Sequence, residues 1–325
     1  MNQKVDQDTL VRTIGLACRA PSVHNSQPWR WQLSARTVRL YADPRRRLPV
    51  TDQDGRDLLL SCGAALHHLR VALADFGVPA QVRRMPDREE PDLLAVVELE
   101  QDTMVELGLG STEPIEVRRT DRRRFGSWPV PQQFLDELVE RAAGQGAVLR
   151  VVTDRPTQRK LVAAIAAAAQ AQDATPGYAE ETAAWSGRVD TPDGVPAASI
   201  PRPDQEAAAV PMRGFSPGTL EQPADTEDGA VLLVLGTSSD DRLSQLRAGE
   251  AMSATLLRAT ELELATCPLS QPLEIADTRD VLRDGVLHGT LSPQLIVRVG
   301  WPPAGLPAVP PTPRRPLTDV MEILR

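Results

Sequence analysis

The chain has 325 residues, 41% hydrophobic and 25% charged, with 36 Lys or Arg against 44 Asp or Glu for a formal net charge of −8. That size can bury a core spread over about two domains, and the acidic balance gives no global attraction to nucleic acid or an anionic membrane, so any anion site must be local. No stretch approaches the ~18 consecutive apolar residues of a membrane span, the opening Met1–Asp8 lacks a signal-peptide run, and Cys18, Cys62 and Cys267 form no disulfide pattern; the expectation is a cytoplasmic protein with buried thiols.

Asp6 or Asp8 can cap a first helix whose Leu10, Ile14 and Ala17 share one face. The helix must stop before Pro21, because a residue preceding proline is pushed out of the α region. A polar turn follows, Pro21-Ser22-Val23-His24-Asn25-Ser26-Gln27-Pro28. Trp29, Trp31 and Leu33 alternate with polar residues ahead of Val38 and Leu40, so residues 29–42 read as a hairpin. Beyond a basic loop at Asp43–Arg47, Leu59, Cys62, Leu66, Leu69 and Leu73 recur at steps of three and four, predicting a long helix over 54–76 that ends at Gly77. Strands fit Ala80–Arg84 and Leu93–Leu99.

Residues 101–117 read as a connector into Arg118-Arg119-Thr120-Asp121-Arg122-Arg123-Arg124-Phe125. A helix near 131–143, a strand at Ala147–Val152 and an Ala-rich helix near 156–172 come next. From Thr175 to about Asp228 the chain is rich in Pro, Gly and Ala with few periodic apolar positions, a length that suits a lid better than a connection. A buried-type strand at Val231–Leu235, a helix over about 241–264, a strand at Ser292–Gly300 and the proline-rich stretch Pro302–Pro316 complete the order before Leu317–Arg325. The long helix bearing Gly63-Ala64-Ala65-Leu66 is echoed by the one bearing Gly249-Glu250-Ala251-Met252, each followed by strands. The expectation is an α+β fold of two tandem halves, residues 1–110 and 111–325, whose long helices pack together as in a fused dimer.

No GxGxxG, GxxxxGK[ST] or HExxH occurs, and His24, His67, His68 and His288 lack metal-ligand spacing, so neither a dinucleotide fold nor a metal is expected. Gly214-Phe215-Ser216-Pro217-Gly218 spells GxSxG, but no strand precedes it and Pro217 has no N–H for an oxyanion hole. His67-His68 read as partly exposed structural residues. The run Arg118–Arg124 sets five arginines against one aspartate. It reads either as a solvated surface or as a phosphate clamp, since the guanidinium fork fits phosphate oxygens; if Thr120 opens a helix, first-turn N–H groups join the clamp. Ser22, Asn25 and Gln27 are either turn and capping residues or the polar fringe around a planar heterocycle beside Trp29.

Pro21-Ser22-x-x-Asn25-Ser26-Gln27-Pro28-Trp29 resembles the P-S-x-x-N-x-Q-P-W segment of the FMN-dependent nitroreductase superfamily, and Arg118-Arg119-Thr120-Asp121-Arg122 resembles the basic segment that opens those proteins. Cys267-Pro268-Leu269-Ser270, Gly300-Trp301-Pro302 and Pro313-Arg314-Arg315-Pro316-Leu317 are similar to its C-terminal elements. The pattern as a whole is most similar to the mycobacterial Acg-type proteins of that superfamily. The resemblance implies a nitroreductase-like fold, an intrachain pseudo-dimer that needs no second chain, and one FMN held between the halves. Pro21, Ser22, Val23, His24, Asn25 and Gln27 would line the flavin; Arg118, Arg119, Thr120 and Arg122 would hold its pyrimidine edge and phosphate; Arg314 or Arg315 would close on the phosphate, and Ser270 and Gln271 are weaker candidates. Catalysis would then belong to the flavin rather than to a protein nucleophile, with hydride passing from NAD(P)H to nitroaromatic or quinone acceptors. The alternative is a flavin-sequestering protein whose lid, about 175–228, blocks turnover.

Overall fold

The computed structural model of the chain describes residues 6–99, 104–203, 210–223 and 227–324. The first half contributes α1 (Gln7–Ala17), the hairpin β1 (Trp29–Leu33) and β2 (Thr37–Ala42), the long helix α2 (Arg56–Asp75), and β3 (Ala80–Arg84) with β4 (Leu93–Leu99). After α3 (Glu113–Val117), the second half contributes α4 (Gln132–Ala143), β5 (Val148–Val152) and α5 (Arg155–Asp173). The segment expected as a lid carries α6 (Tyr178–Ala184) and two short paired strands, β6 (Ser186–Arg188) and β7 (Val195–Pro196). Then come β8 (Val231–Thr237), the long helix α7 (Arg242–Glu261), β9 (Ala265–Leu269), α8 (Gln271–Glu274), α9 (Ala276–Gly285) and β10 (Ser292–Gly300), with α10 (Leu317–Val320) and β11 (Met321–Ile323) closing the chain.

The two main sheets repeat one topology. Apart from β11 at its edge, the first runs β1-β2-β4-β3, and the second runs β5-β8-β10-β9, each antiparallel and each with its long helix between the second and third strands of the set. The first sheet turns Trp29, Trp31, Leu33, Val38 and Leu40 inward, buried to within 1%. Its other face carries Arg30, Gln32 and Arg39, which explains the alternation along β1 and β2. The second sheet is covered on both faces, with Leu233 and Leu235 on the α7 side and Leu232 and Val234 on the α5 and α9 side. Residues 231–235 are therefore apolar without a break.

Helices α2 and α7 pack on each other and each on its own sheet, so one core runs through both halves. Their ranges match position for position at a displacement of 186 residues. They cross at equivalent glycines: a Cβ on Gly63 would stand 2.0 Å from the Leu246 carbonyl oxygen, and one on Gly249 would stand 2.1 Å from that of Leu60. Glycine here is a matter of space, because backbone meets backbone. The equivalent positions 67 and 253 also face each other, with His67 Nδ1 2.9 Å from Ser253 Oγ.

His67 and His68 are fully buried, which corrects the expectation of partial exposure: His67 faces Ser253 of α7, and His68 lies near Arg118. Burial first, then nearby arginines, holds both imidazoles well below their usual pKa, so the folded protein keeps them neutral. A histidine depressed in this way contributes stability that is complete above the free value near 6.5 and is lost as pH falls below it, because only the unfolded chain takes up the proton. His67→Gln, which retains a partner for Ser253, is expected to lose less stability than the wild type between pH 7 and pH 5. The gap should open by up to about 1.4 kcal/mol per pH unit below the free value in denaturant titrations; parallel losses would contradict this.

The final strand was missing from the sequence reading. β11 adds parallel to β1 at the edge of the first sheet, pairing Trp31 with Met321 and Leu33 with Ile323, so the end of the chain belongs to the first half's sheet. On the way there it passes the polar turn, and this brings Arg314 to the site.

Candidate functional site

Helix α1 ends at Ala17, and the chain turns through Val23–Asn25 as a single 3-10 turn before entering β1. Three of its residues hold left-handed backbone, His24 at φ 49°, Asn25 at φ 53° and Gln27 at φ 50°. Non-glycine residues adopt this region at a cost of order 1 kcal/mol each, so the surroundings must enforce it. Ser22 Oγ accepts the Gln27 N–H, and Ser61 Oγ on α2 accepts the Val23 N–H. The turn is thereby pinned to the helix pair.

A cavity opens against this turn and has two ends that share Pro21, Ser22, Thr120 and Arg122. The wider end is mostly apolar. Pro21, Val23 and His24 form one wall, Leu60, Met252 and Leu295 lie on the helix pair and β10, and the segment Cys267–Gln271 forms another wall. Met212, Arg213 and Phe215, from the segment expected as a lid, line it as well. The His24 ring stands edge-on to Phe215 at 5.1 Å between centroids, and the Arg122 guanidinium lies over the same ring at 5.1 Å. Both ring nitrogens of His24 are buried without a partner, and burial, followed by Arg213 and Arg122, holds the ring neutral. This end is a slot for a flat ring with polar atoms on its rim.

The other end is cationic. It is lined by Arg19, Arg118, Arg119, Arg122 and Arg314 with no acidic residue, and among the described residues none of these five forms an ion pair with a carboxylate. Arg314 spends its donors on backbone, with Nε reaching the Cys18 carbonyl at 3.1 Å and Nη2 reaching those of Arg19 and Ala20 at 3.0 and 3.2 Å. It is thus held over the end of α1, where cations are favoured. Arg118 is 6% exposed, yet its Nε and Nη1 are buried with no partner. Burial first, then Arg314, Arg119 and Arg19, pulls its pKa down to about 9, and burial pulls that of Arg314 down to about 10. Buried cations that repel one another and have open N–H groups are complementary to an anion with several oxygens, above all a phosphate.

Most of the expected site residues face this cavity. Pro21, Ser22, Val23, His24, Arg122, Thr120 and Ser270 line its wide end, and Asn25, Arg118, Arg119 and Arg314 its cationic end. Thr120 does not open a helix; it forms an isolated parallel bridge with Thr266, so no helical N–H groups join the clamp there. Gln27 and Arg315 line neither end. Gln27 is fully buried, accepts the Arg315 N–H at 2.8 Å and donates to the Pro192 carbonyl at 2.8 Å, while the Arg315 side chain rests on the Gln27 and Asp319 carbonyls. Ser270 Oγ donates to Glu274 at 2.7 Å.

The segment expected as a lid is fastened to the same turn. Asn25 donates to the Gly194 carbonyl at 3.0 Å and to that of Pro313, and Asp193 joins Arg46 to Arg188. Both of these guanidinium groups also lie over the Trp185 ring. Farther back, Glu181 accepts the Val50 and Thr51 N–H groups. The sequence reading missed Arg19, Asp57, Arg213 and Phe215 as cavity residues. Arg19 adjoins the opening motif and Phe215 sits in the GxSxG stretch, but nothing local in the sequence marks Asp57 or Arg213.

The nitroreductase family model matches residues 115–301, leaving the half that carries Pro21–Gln27 outside the match. Two proteins of Mycobacterium tuberculosis run along nearly the whole chain. One, named "Putative NAD(P)H nitroreductase", is 43% identical over 320 residues, 98% of this chain and 92% of the relative. The other, named "Putative NAD(P)H nitroreductase acg", is 36% identical over 324 residues, 98% of this chain and 97% of the relative. Among solved structures, the FMN-dependent nitroreductase NfnB from Mycobacterium smegmatis in complex with NADPH aligns with a TM-score of 0.41 and 18% identity, covering 65% of this chain and 96% of that one.

Proposed function

The chain belongs to the nitroreductase family, and on that premise we propose that it binds one FMN per chain and passes hydride from NAD(P)H to nitroaromatic or quinone acceptors. The observation that carries the reading is the buried Arg118, whose Nε and Nη1 have no partner, in a carboxylate-free cluster of arginines that opens into a flat apolar slot. Arg19, Arg118, Arg119 and Arg314 hold the phosphate; Pro21, Val23, His24 and Cys267–Gln271 frame the ring system. When bound, FMN supplies the hydride-accepting and hydride-donating chemistry, and the protein supplies orientation, positive potential and exclusion of water. The matching sheet topologies and the glycine crossing support reading the molecule as a fused dimer, residues 1–110 against 111–325. The second, equivalent position has lost its turn: the link from α4 to β5 is only Gly144–Ala147, against Cys18–Pro28 between α1 and β1. One site per chain follows.

A second reading is favoured by the lid, whose Met212, Arg213 and Phe215 cover the wide end. In that reading the protein keeps FMN and turns over little, because a nicotinamide cannot reach the ring. Rapid mixing of the FMN-loaded protein with NADPH and with NADH separates the two. Bleaching of the flavin within seconds supports the reductase, and a flavin that stays oxidised for minutes supports sequestration. Asp193→Ala removes the ion pair with Arg46 that fastens the β6–β7 segment to the first half, along with the one to Arg188 inside that segment. It is expected to raise the reduction rate about tenfold, as a shift of ~1.4 kcal/mol in the lid equilibrium does; an unchanged rate would remove the lid as the barrier.

A further inference from the structure

Asp57 stands in the first turn of α2, buried, in the wall of the wide end beside Leu60 and Ser61. Asp57, Asp52 and Glu274 line one small cavity beside that end; Arg213 ion-pairs with Glu274, and Arg47 is the cation near Asp52. The donors of this cluster are already taken. Glu274 accepts from Arg213, Ser270 and Gln172, and Asp52 accepts the N–H groups of Asp57 and Leu58 at 3.0 and 2.9 Å. None reaches Asp57 Oδ2, which is buried without a partner. A carboxyl buried beside other carboxyls and without donors favours its protonated form, and here that one is Asp57. Burial, Glu274 and Asp52 together push Asp57 well above the usual carboxylate range.

We propose that Asp57 carries a proton at the cavity wall and delivers it to the oxygen of a neutral quinone or nitro acceptor being reduced there. This rests on the reductase reading above. For a quinone, one oxygen takes up the hydride equivalent, two electrons and one hydrogen, that reduced FMN would supply; the other oxygen forms a bond to the Asp57 proton as the Asp57 O–H bond breaks, and the product is the hydroquinone. Asp57, left as a carboxylate, recovers its proton from water.

Infrared spectra of the protein at pH 7.5, with and without FMN, are expected to show a protonated-carboxyl C=O band that disappears in Asp57→Asn and is retained in Glu274→Gln, because burial is the main cause of the Asp57 shift. The protein is then loaded with FMN and reduced with dithionite, which removes any dependence on NAD(P)H. Reoxidation by duroquinone should be about a hundredfold slower in Asp57→Asn, in the range expected for loss of a general acid. Reoxidation by ferricyanide, which takes electrons without a proton, should be unchanged. Absence of the band, or equal duroquinone rates in wild type and variant, overturns the proposal, as does an equal slowing with ferricyanide. Failure of the wild type to bind FMN would instead sink the reductase reading, and the infrared band reports on Asp57 separately.

Discussion

Replacing Arg118 with methionine is expected to weaken FMN binding by about a hundredfold and, in the same protein, to make the FMN-free form more stable. The first effect follows from Nε and Nη1, two buried donors with no partner in the protein. Charge-assisted hydrogen bonds to phosphate oxygens contribute about 1.5–3 kcal/mol each, and ~2.8 kcal/mol is a hundredfold in affinity. The second follows because the guanidinium is desolvated among Arg314, Arg119 and Arg19 with no carboxylate to offset it. A methionine keeps the apolar stem and removes the buried charge, a change of about 1–2 kcal/mol in favour of folding. Flavin fluorescence titration and thermal unfolding in phosphate-free buffer measure the two effects. An unchanged dissociation constant would remove Arg118 from the phosphate site, and a less stable FMN-free variant would mean that its charge is compensated.

Gly63→Ala is expected to be severely damaging for a single added methyl. The added Cβ would meet the Leu246 carbonyl oxygen at 2.0 Å and the Gly249 Cα at 2.9 Å, and both are backbone atoms of α7 that cannot rotate aside. Relief requires the two central helices to move apart, and both sheets lean on them. A loss of about 3 kcal/mol or more follows, visible as a drop of several degrees in Tm, with Gly249→Ala behaving alike. Gly15→Ala is the control. It lies in α1 with its nearest neighbour, a Leu317 methyl, at 3.6 Å, so it should be neutral or gain up to about 1 kcal/mol from helix propensity. Similar melting temperatures for all three variants would show that the glycine crossing is not a tight constraint.

Where one face of an element decides its pattern, the sequence was enough. The three-and-four spacing of Leu59, Cys62, Leu66, Leu69 and Leu73 marked α2, and the β-branched and leucine-rich runs marked β4 and β8. Short elements whose reason lies elsewhere escaped. The strand at Met321–Ile323 exists because the edge of β1 offers it unpaired backbone groups, and nothing in its own composition predicts a partner some 290 residues away. The site was legible in its motifs, and the structure divided their labour. Gln27, which the motif places beside a ligand, instead ties the turn to Pro192 and to Arg315, while its neighbours His24 and Asn25 face the cavity. Asp57 escaped because its chemistry arises from burial beside Glu274, distant in the chain, and no spacing in the sequence encodes that approach.

The facing pair His67 and Ser253 carries a consequence for how such a molecule can diverge. Where two identical subunits meet on a two-fold axis, a residue on the axis confronts its own copy, and every codon there specifies both sides of the contact at once. An imidazole must then accommodate an imidazole, and a serine another serine. In this chain the corresponding positions are separate codons, and an imidazole nitrogen meets a hydroxyl. The same independence extends away from the axis: Glu250 can ion-pair with Arg70 and Arg84 while Ala64, its counterpart at the same displacement, stays apolar. Joining two such halves in one chain would free each side of the interface to be selected for a different task.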